Sequence, residues 1–325
     1  MAADKEIQLG ALKIFAAVAE AETLTHAAQK LGITQSAVSQ AIAQLEQTTA
    51  TQLVVRRSRP IKLTPSGLVL KKHASDILAS TRRMVAAVQS ASDTGLPRLR
   101  LGFVDSFGDA AAPRLSQRME SLAVKLSMQT GFTSPLSQAF LGRDLDILIT
   151  SDPVDDHPEL ERHAIMRDPF VILVAQKHCG DKEPTAEELS MRLPFVRYNK
   201  RSRLGMMTNL IARRLNIEPQ TRYELDSTQT LLRFVQSGQG WAFATGLCIA
   251  RHRGLLEGVR VMPLANSANA RYLSLMARHN ELGTIPEKVA GICRDICDEE
   301  IVPELLEHVP WLAGEIRSIT ELPII

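Results

Sequence analysis

Cysteine is scarce in this chain of 325 residues: only Cys179, Cys248, Cys293 and Cys297. No pair has the C-x-x-C spacing of a zinc or redox site. Cys293 and Cys297 lie one helical turn apart with no histidine cluster beside them to complete a metal site, and they read as two half-buried thiols. Long apolar runs are also missing. None reaches the roughly 18 residues that span a bilayer, and the start, MAADKEIQLG, lacks the basic-then-apolar pattern of a secretion signal. A reducing cytoplasm, with no membrane partner, is the expected setting.

Catalytic signatures are absent as well. There is no P-loop, no G-x-S-x-G and no H-E-x-x-H pattern, and the eight histidines are dispersed. SGQGWA lacks the G-x-G-x-x-G spacing and closes a helix where a nucleotide loop would open one. Asp155 and Asp156, between Pro153 and Pro158, read as solvated turn chemistry. No enzyme, metal or cofactor is expected. One local absence is more informative. From Gln47 to Ser75 there is no acidic residue, against six basic ones: Arg56, Arg57, Arg59, Lys62, Lys71 and Lys72. In a chain of net charge +2 this block marks one polyanion-binding module on an otherwise ordinary protein.

That module begins with helical patterns. LKIFAAVAEA presents Leu12, Phe15, Val18 and Ala19 on one face, and THAAQKL adds Ala27, Ala28 and Leu31. Gly32 stops the helix, and Thr34 is placed to cap the next one. There Ala37, Val38, Ala41, Ile42 and Leu45 form a core stripe, while Gln35, Ser36, Ser39 and Gln40 fall elsewhere. Amides and hydroxyls near a helix N-terminus suit base edges and phosphates. Two helices joined by a tight glycine turn are either a helix-turn-helix or a plain helical hairpin. The next segment, LVVRRSRPIKLTPSG, favours the first reading. It predicts a short strand, a basic turn and a second short strand, a wing from which Arg56, Arg57, Arg59 and Lys62 reach the phosphate backbone or minor groove. Thr64-Pro65 then opens a helix predicted to reach about Ser92, with Leu70, Ala74, Ile77, Thr81, Met84 and Val88 as a heptad seam for a second copy of the chain.

Taken together, LKIFAAVAEAETLTHAAQKLGITQSAVSQAIAQLE, LVVRRSRPIKLTPSG and the long helix resemble the LysR-type transcriptional regulators of bacteria. The matching features are the A-A-x-x-L half, the S/T-Q-x-A-x-S half, an L-E, a wing arginine and an L-T-x-x-G exit. Ser36 stands where proline is common, Gln40 where arginine is common, and LVVR replaces L-F-x-R; these departures bear on base preference. The resemblance implies a winged helix-turn-helix, a dimerising linker helix, an effector-sensing domain and tetramers built as dimers of dimers. It implies DNA contacts from Thr34, Gln35, Ser36, Ser39, Gln40, Arg56 and Arg59. Promoter DNA and further copies of the chain are the implied partners, with RNA polymerase a further candidate.

Residues 93–97, within SASDTGLP, form a small-residue break. The expected domains are therefore 1–64 (winged helix-turn-helix), 65–92 (linker helix), 93–97 (hinge) and 98–325. Beyond the hinge, strands alternate with helices: LRLGFV, a helix from Asp109 to Leu122, VKLSMQT, SPLSQAFLGRDL and DILIT, then a second set opening with PFVILVAQ. This predicts two α/β lobes with two crossings, like a periplasmic binding protein, ending in a helix over 285–307. The overall fold class is thus α+β and multidomain. Ligands in open α/β sheets bind beyond the carboxyl ends of strands. That rule selects Asp105, Ser106, Phe107, Thr133, Ser134 and Ser151 in the first lobe, and Tyr198, Asn199, Ser227 and Thr245 in the second, with Gly131, Asp226 and an arginine from Arg197, Arg201 or Arg203 beside them. Hydroxyls and helix N-termini suit a small anion such as a carboxylate; each residue is equally suited to an ordinary cap or turn.

The expected function is a sequence-specific regulator whose promoter binding responds to a small-molecule effector. The alternative is a ligand-independent or redox-responsive repressor. An architectural DNA protein would carry more positive charge and no elaborate second module.

Overall fold

The structure, a computed structural model, describes residues 6–55, 58, 60–90, 96–152, 159–264 and 269–323. It divides into two compact units, Met1–Ala91 and Ser92–Ile325. Among the described residues no helix is long and apolar enough to cross a membrane.

The first unit contains α1 (Leu9–Val18), α2 (Leu24–Leu31), α3 (Gln35–Thr49) and α4 (Pro65–Ser90). Leu12, Phe15 and Val18 of α1 meet Ala27 and Ala28 of α2 and Val38, Ile42 and Leu45 of α3 in one core. Ala17, where the sequence pattern puts Ala19, completes the buried face of α1. Each turn is closed locally. Thr23 Oγ1 accepts the His26 amide at 3.1 Å. Gly32 sits at φ +67°, the left-handed conformation that glycine enters cheaply, and Ile33 N donates to Ala28 O at 3.1 Å. Thr34 Oγ1 accepts the Ala37 amide at 3.2 Å.

Among the described residues of the wing, one antiparallel bridge joins Val54 to Leu63, flanked by Val55 N to Lys62 O at 2.8 Å and Thr64 N to Leu53 O at 3.0 Å. Its root is held from α3: Glu46 Oε1 accepts the amides of Leu53 at 2.9 Å and Val54 at 3.4 Å, so these donors serve a side chain in place of a longer ladder. Arg56, Arg57 and Arg59 lie outside the described residues, as do residues 93–95 of the expected hinge and the Asp155-Asp156 pair.

Helix α4 starts as the sequence predicts, with Thr64 Oγ1 accepting the Gly67 amide at 3.0 Å and Pro65 in the first helical position. Its seam divides in two. Ala74 is fully buried in the core of the first unit with Leu70 packed against it, whereas Ile77, Met84 and Val88 are 47, 60 and 67% exposed. Thr81 Oγ1 donates to Ile77 O at 3.0 Å, within its own helix. The first two seam positions are thus used inside one chain, and the surface left for a partner begins at Ile77.

The second unit runs β1 (Leu99–Val104), α5 (Asp105–Arg118), β2 (Leu126–Gly131), α6 (Thr133–Leu141), β3 (Ile147–Thr150), β4 (Leu160–Ala175), α7 (Ala186–Arg192), β5 (Phe195–Tyr198), α8 (Arg203–Arg214), β6 (Thr221–Leu225), α9 (Thr228–Gln236), β7 (Trp241–Thr245), α10 (Gly246–Ala250), β8 (Val259–Pro263), β9 (Ala270–Arg278), α11 (Ile285–Ile296), α12 (Val302–Leu306) and β10 (Arg317–Ser318). The sheet order is β2-β1-β3-β9-β4-β7-β5-β6, with β8 and β10 also on β4. Parallel β1, β2 and β3 form one lobe; parallel β5, β6 and β7 form the other. The antiparallel strands β4 and β9 carry the chain between them.

Two expectations are corrected and a third gains a detail. Strand β4 begins at Leu160, nine residues before the predicted run, because Glu161, Arg162, His163, Arg167 and Asp168 interrupt its apolar pattern. Helix α5 begins at Asp105, not Asp109, so Asp105, Ser106 and Phe107 form its first turn. The last helix, predicted over 285–307, runs without a break from Ile285 to Leu306, with a π turn at Cys297–Ile301 between α11 and α12. Pro303, which has no amide hydrogen, cannot supply a regular helical bond there.

Gly67 tests the entry to α4. A Cβ at this position would lie 2.1 Å from Leu53 O, a backbone atom that cannot swing aside. Gly67→Ala is expected to cost about 1–3 kcal/mol of stability in urea denaturation; a variant as stable as the parent would show that the helix start can shift.

Candidate functional site

The outward edge of α3 carries Gln35, Ser36, Ser39 and Gln40, all exposed, opposite buried Val38, Ile42 and Leu45. The side chains of Gln35, Ser39 and Gln40 make no hydrogen bond among the described residues, so their donors and acceptors are open to a ligand. Thr34 and Ser36 are partly committed: Thr34 Oγ1 caps α3 and lies 2.9 Å from Ser36 Oγ. Lys62 is exposed on the wing, where its amide donates to Ser58 Oγ at 3.0 Å.

In the second unit a cavity of about 380 Å³ opens between the lobes. Six of the residues expected from the sheet rule line it: Asp105, Ser106 and Thr133 at helix starts, Ser151 beyond β3, and Tyr198 and Ser227 from the second lobe. Gly131, Asp226 and Arg203 line it too. Four others do not. Phe107, on the inner face of α5, is fully buried and packs against Phe103 with ring centroids 6.1 Å apart. Ser134 is exposed on α6, outside the cavity lining. Asn199 is spent on its own turn, where Oδ1 accepts the Arg201 amide at 2.9 Å and its carbonyl takes the Ser202 hydroxyl at 2.7 Å. Thr245 is fully buried beneath the floor and caps α10 through the Cys248 amide at 3.4 Å. Arg197 is turned to Glu224 at 3.7 Å, and Arg201 is exposed away from the lining.

The residue that sequence reasoning missed is Arg271 in β9. It is 3% exposed and directly opposite Asp168 of β4 in the strand register. Its Nε donates to Asp168 Oδ2 at 2.8 Å, and its Nη2 to Ser106 Oγ at 2.8 Å and Thr245 Oγ1 at 3.2 Å. Asp168 Oδ1 accepts the Leu247 amide at 2.9 Å. Burial opposes the charge on Arg271, but the Asp168 carboxylate beside it more than compensates and raises its pKa. The sequence shows only charged residues scattered along both strands, and nothing short of register pairs Asp168 with Arg271. Tyr198 completes the floor: its hydroxyl is 3.0 Å from Thr228 Oγ1, and burial pushes the phenol well above its usual range. At the cavity edge Arg251 pairs with Asp109 at 2.6 Å, and His252 has its pKa lowered by burial and then by Arg251.

All four thiols are free. Cys293 and Cys297 are fully buried, not half-buried, and burial pushes Cys297 up to about 12 and Cys293 well above its ordinary value. Cys248 lines the cavity with Sγ 4.0 Å from Arg271 Nη2.

Two family models match the chain: "Bacterial regulatory helix-turn-helix protein, lysR family" over residues 9–68, and "LysR substrate binding domain" over residues 93–314. The HTH-type transcriptional regulator YofA of Bacillus velezensis is 31% identical over 242 residues, which span 73% of this chain and 80% of YofA. A probable hydrogen peroxide-inducible genes activator of Mycobacterium xenopi is 37% identical over 130 residues, 38% of this chain and 69% of that protein. Among solved structures, a full-length OxyR variant from Pseudomonas aeruginosa superposes with a TM-score of 0.68 at 19% identity, covering 89% of this chain and 95% of the other, a likeness of fold.

The Asp168–Arg271 pair yields a stability test. Asp168→Ala leaves a buried guanidinium without its counter-charge and is expected to cost about 3–5 kcal/mol in urea denaturation. Adding Arg271→Met should recover most of the loss; an equal loss in the double variant would assign the cost to packing instead of charge.

Proposed function

The chain belongs to the LysR family of transcriptional regulators, and from that premise we propose where it reads DNA and how the reading is controlled. It is a DNA-binding regulator with an effector-binding domain. In our reading α3 enters the major groove edge-on, with Gln35, Ser39 and Gln40 on base edges and Thr34 and Ser36 at the capped helix start near phosphate. Lys62, with Arg56, Arg57 and Arg59 by sequence, clamps the backbone. The observation that carries this is the division of α3 into a buried apolar stripe and an exposed edge of amides and hydroxyls with bonds to spare.

Self-association through the exposed α4 residues Ile77, Met84 and Val88 sets two readers side by side, so the operator is an interrupted near-palindrome. RNA polymerase contact at the promoter belongs to the same proposal. An effector in the interlobe cavity, touching both lobes, stabilises one disposition of β4 and β9 over another and so biases the DNA-bound state by its differential affinity.

A redox-responsive second reading rests on Cys248, the one thiol among the four that lines the cavity, beside the Arg271 guanidinium. If peroxide controls the protein, operator binding by the parent changes on oxidation and binding by Cys248→Ser does not; a parent indifferent to peroxide removes this reading.

The DNA assignment is tested by fluorescence anisotropy on operator variants taken from genome-wide mapping. Gln35→Ala and Ser39→Ala are expected to lose about 1–3 kcal/mol of discrimination per base contact. Lys62→Ala should weaken all sequences alike and reduce the salt slope by about one. Discrimination equal to the parent's in both α3 variants would refute the assignment.

A further inference from the structure

The charges lining the interlobe cavity do not suit a simple anion, and we infer that its ligand is a zwitterion of the α-amino-acid class, its ammonium facing Asp105 and its carboxylate facing Arg203. This rests on the reading of the cavity as the effector site. Most of the lining charges are already matched. Arg271 is neutralised by Asp168, and Arg251 by Asp109. His252, lowered by burial and by Arg251, is uncharged at neutral pH. Three groups remain: Asp105 from the first lobe, Arg203 and Asp226 from the second. None of their side chains makes a hydrogen bond or ion pair among the described residues.

Arg203 is an unusual residue for its place. It is the first residue of the twelve-residue helix α8, where a cation opposes the positive end of the helix dipole. Its Nε is buried with no partner, which is a cost unless a ligand meets it. A carboxylate in the cavity would meet a guanidinium at a helix start, the group that Arg203 contributes to the lining. Asp105 is the mirror case. It opens α5 on the other lobe, and partial desolvation followed by the neighbouring Asp109 charge raises its pKa. An ammonium beside it relieves that penalty.

A monocarboxylate would answer Arg203 and bring a third carboxylate towards Asp105 and Asp226. A simple amine would leave Arg203 unmet. An amino acid answers one group on each lobe and so ties the lobes together, as a closing effector must. The volume of about 380 Å³ lies at the small end of the ~300–1,000 Å³ range of ligand pockets, which suits a metabolite of this size. The additional carboxylate of Asp226, exposed at the rim, ranks amino acids with a cationic side chain ahead of those with an acidic one.

The experiment is a thermal-shift screen of the full chain with the twenty free amino acids, followed by calorimetry. Each hit is compared with its deaminated acid and its decarboxylated amine at equal concentration. We expect at least one amino acid to raise the melting temperature, with neither analogue doing so. Asp105→Asn and Arg203→Gln should each weaken the hit at least tenfold. If no amino acid stabilises the protein, or a deaminated acid stabilises it equally and Asp105→Asn leaves that binding unchanged, the zwitterion inference is overturned while the cavity can still serve another effector. If amino acids bind but both variants bind them as tightly as the parent, the cavity is not the binding site, and the effector reading falls with the inference.

Discussion

The Asp168–Arg271 ion pair is the constraint on which the second unit depends. It joins the two strands that carry the chain between the lobes, and both partners are withdrawn from water. A buried pair of this kind adds little net stability over an apolar pair of similar volume, because desolvation offsets the Coulombic gain. Its value is geometric. Asp168 holds the amide at Leu247 at the start of α10, and Arg271 reaches Ser106 at the start of α5. One guanidinium thereby sets the relative position of a helix from each lobe and the floor of the cavity between them.

The DNA-binding unit is built on a different economy. Its helices are short and closed by single residues: Thr23, Gly32 and Thr34 each satisfy backbone groups that would otherwise need water. Capping frees the rest of α3 to divide cleanly between a core stripe and an outward edge. Glu46 reaches from the far end of α3 to hold the wing root, so α3 and the base of the wing share one support. A site on rigid elements keeps its donors aligned before DNA arrives, which lowers the ordering cost of binding.

How much of this was legible in the sequence depended on the range of the interaction that decides it. The caps, the glycine turn and the Thr64-Pro65 helix start are decided within a few residues, and their signals were read correctly. The seam of α4 was only half legible, because periodicity marks Leu70 and Ile77 alike as apolar and cannot say that Leu70 is consumed by its own core. The first half of β4 was hidden by the charges that make it useful. Phe107 was assigned to the cavity by counting residues past a strand end, an error produced by the early start of α5, which turns that ring inward.

The sequence by itself determined the helix-turn-helix, its outward edge of amides and hydroxyls, and the alternation of strands and helices behind it, because these follow from local propensity, capping and hydrophobic period. Only the tertiary structure decided which polar groups share the cavity and which are consumed elsewhere. Asp168 and Arg271 are separated by more than a hundred residues and meet through antiparallel register, and register is a property of paired strands that neither strand carries alone.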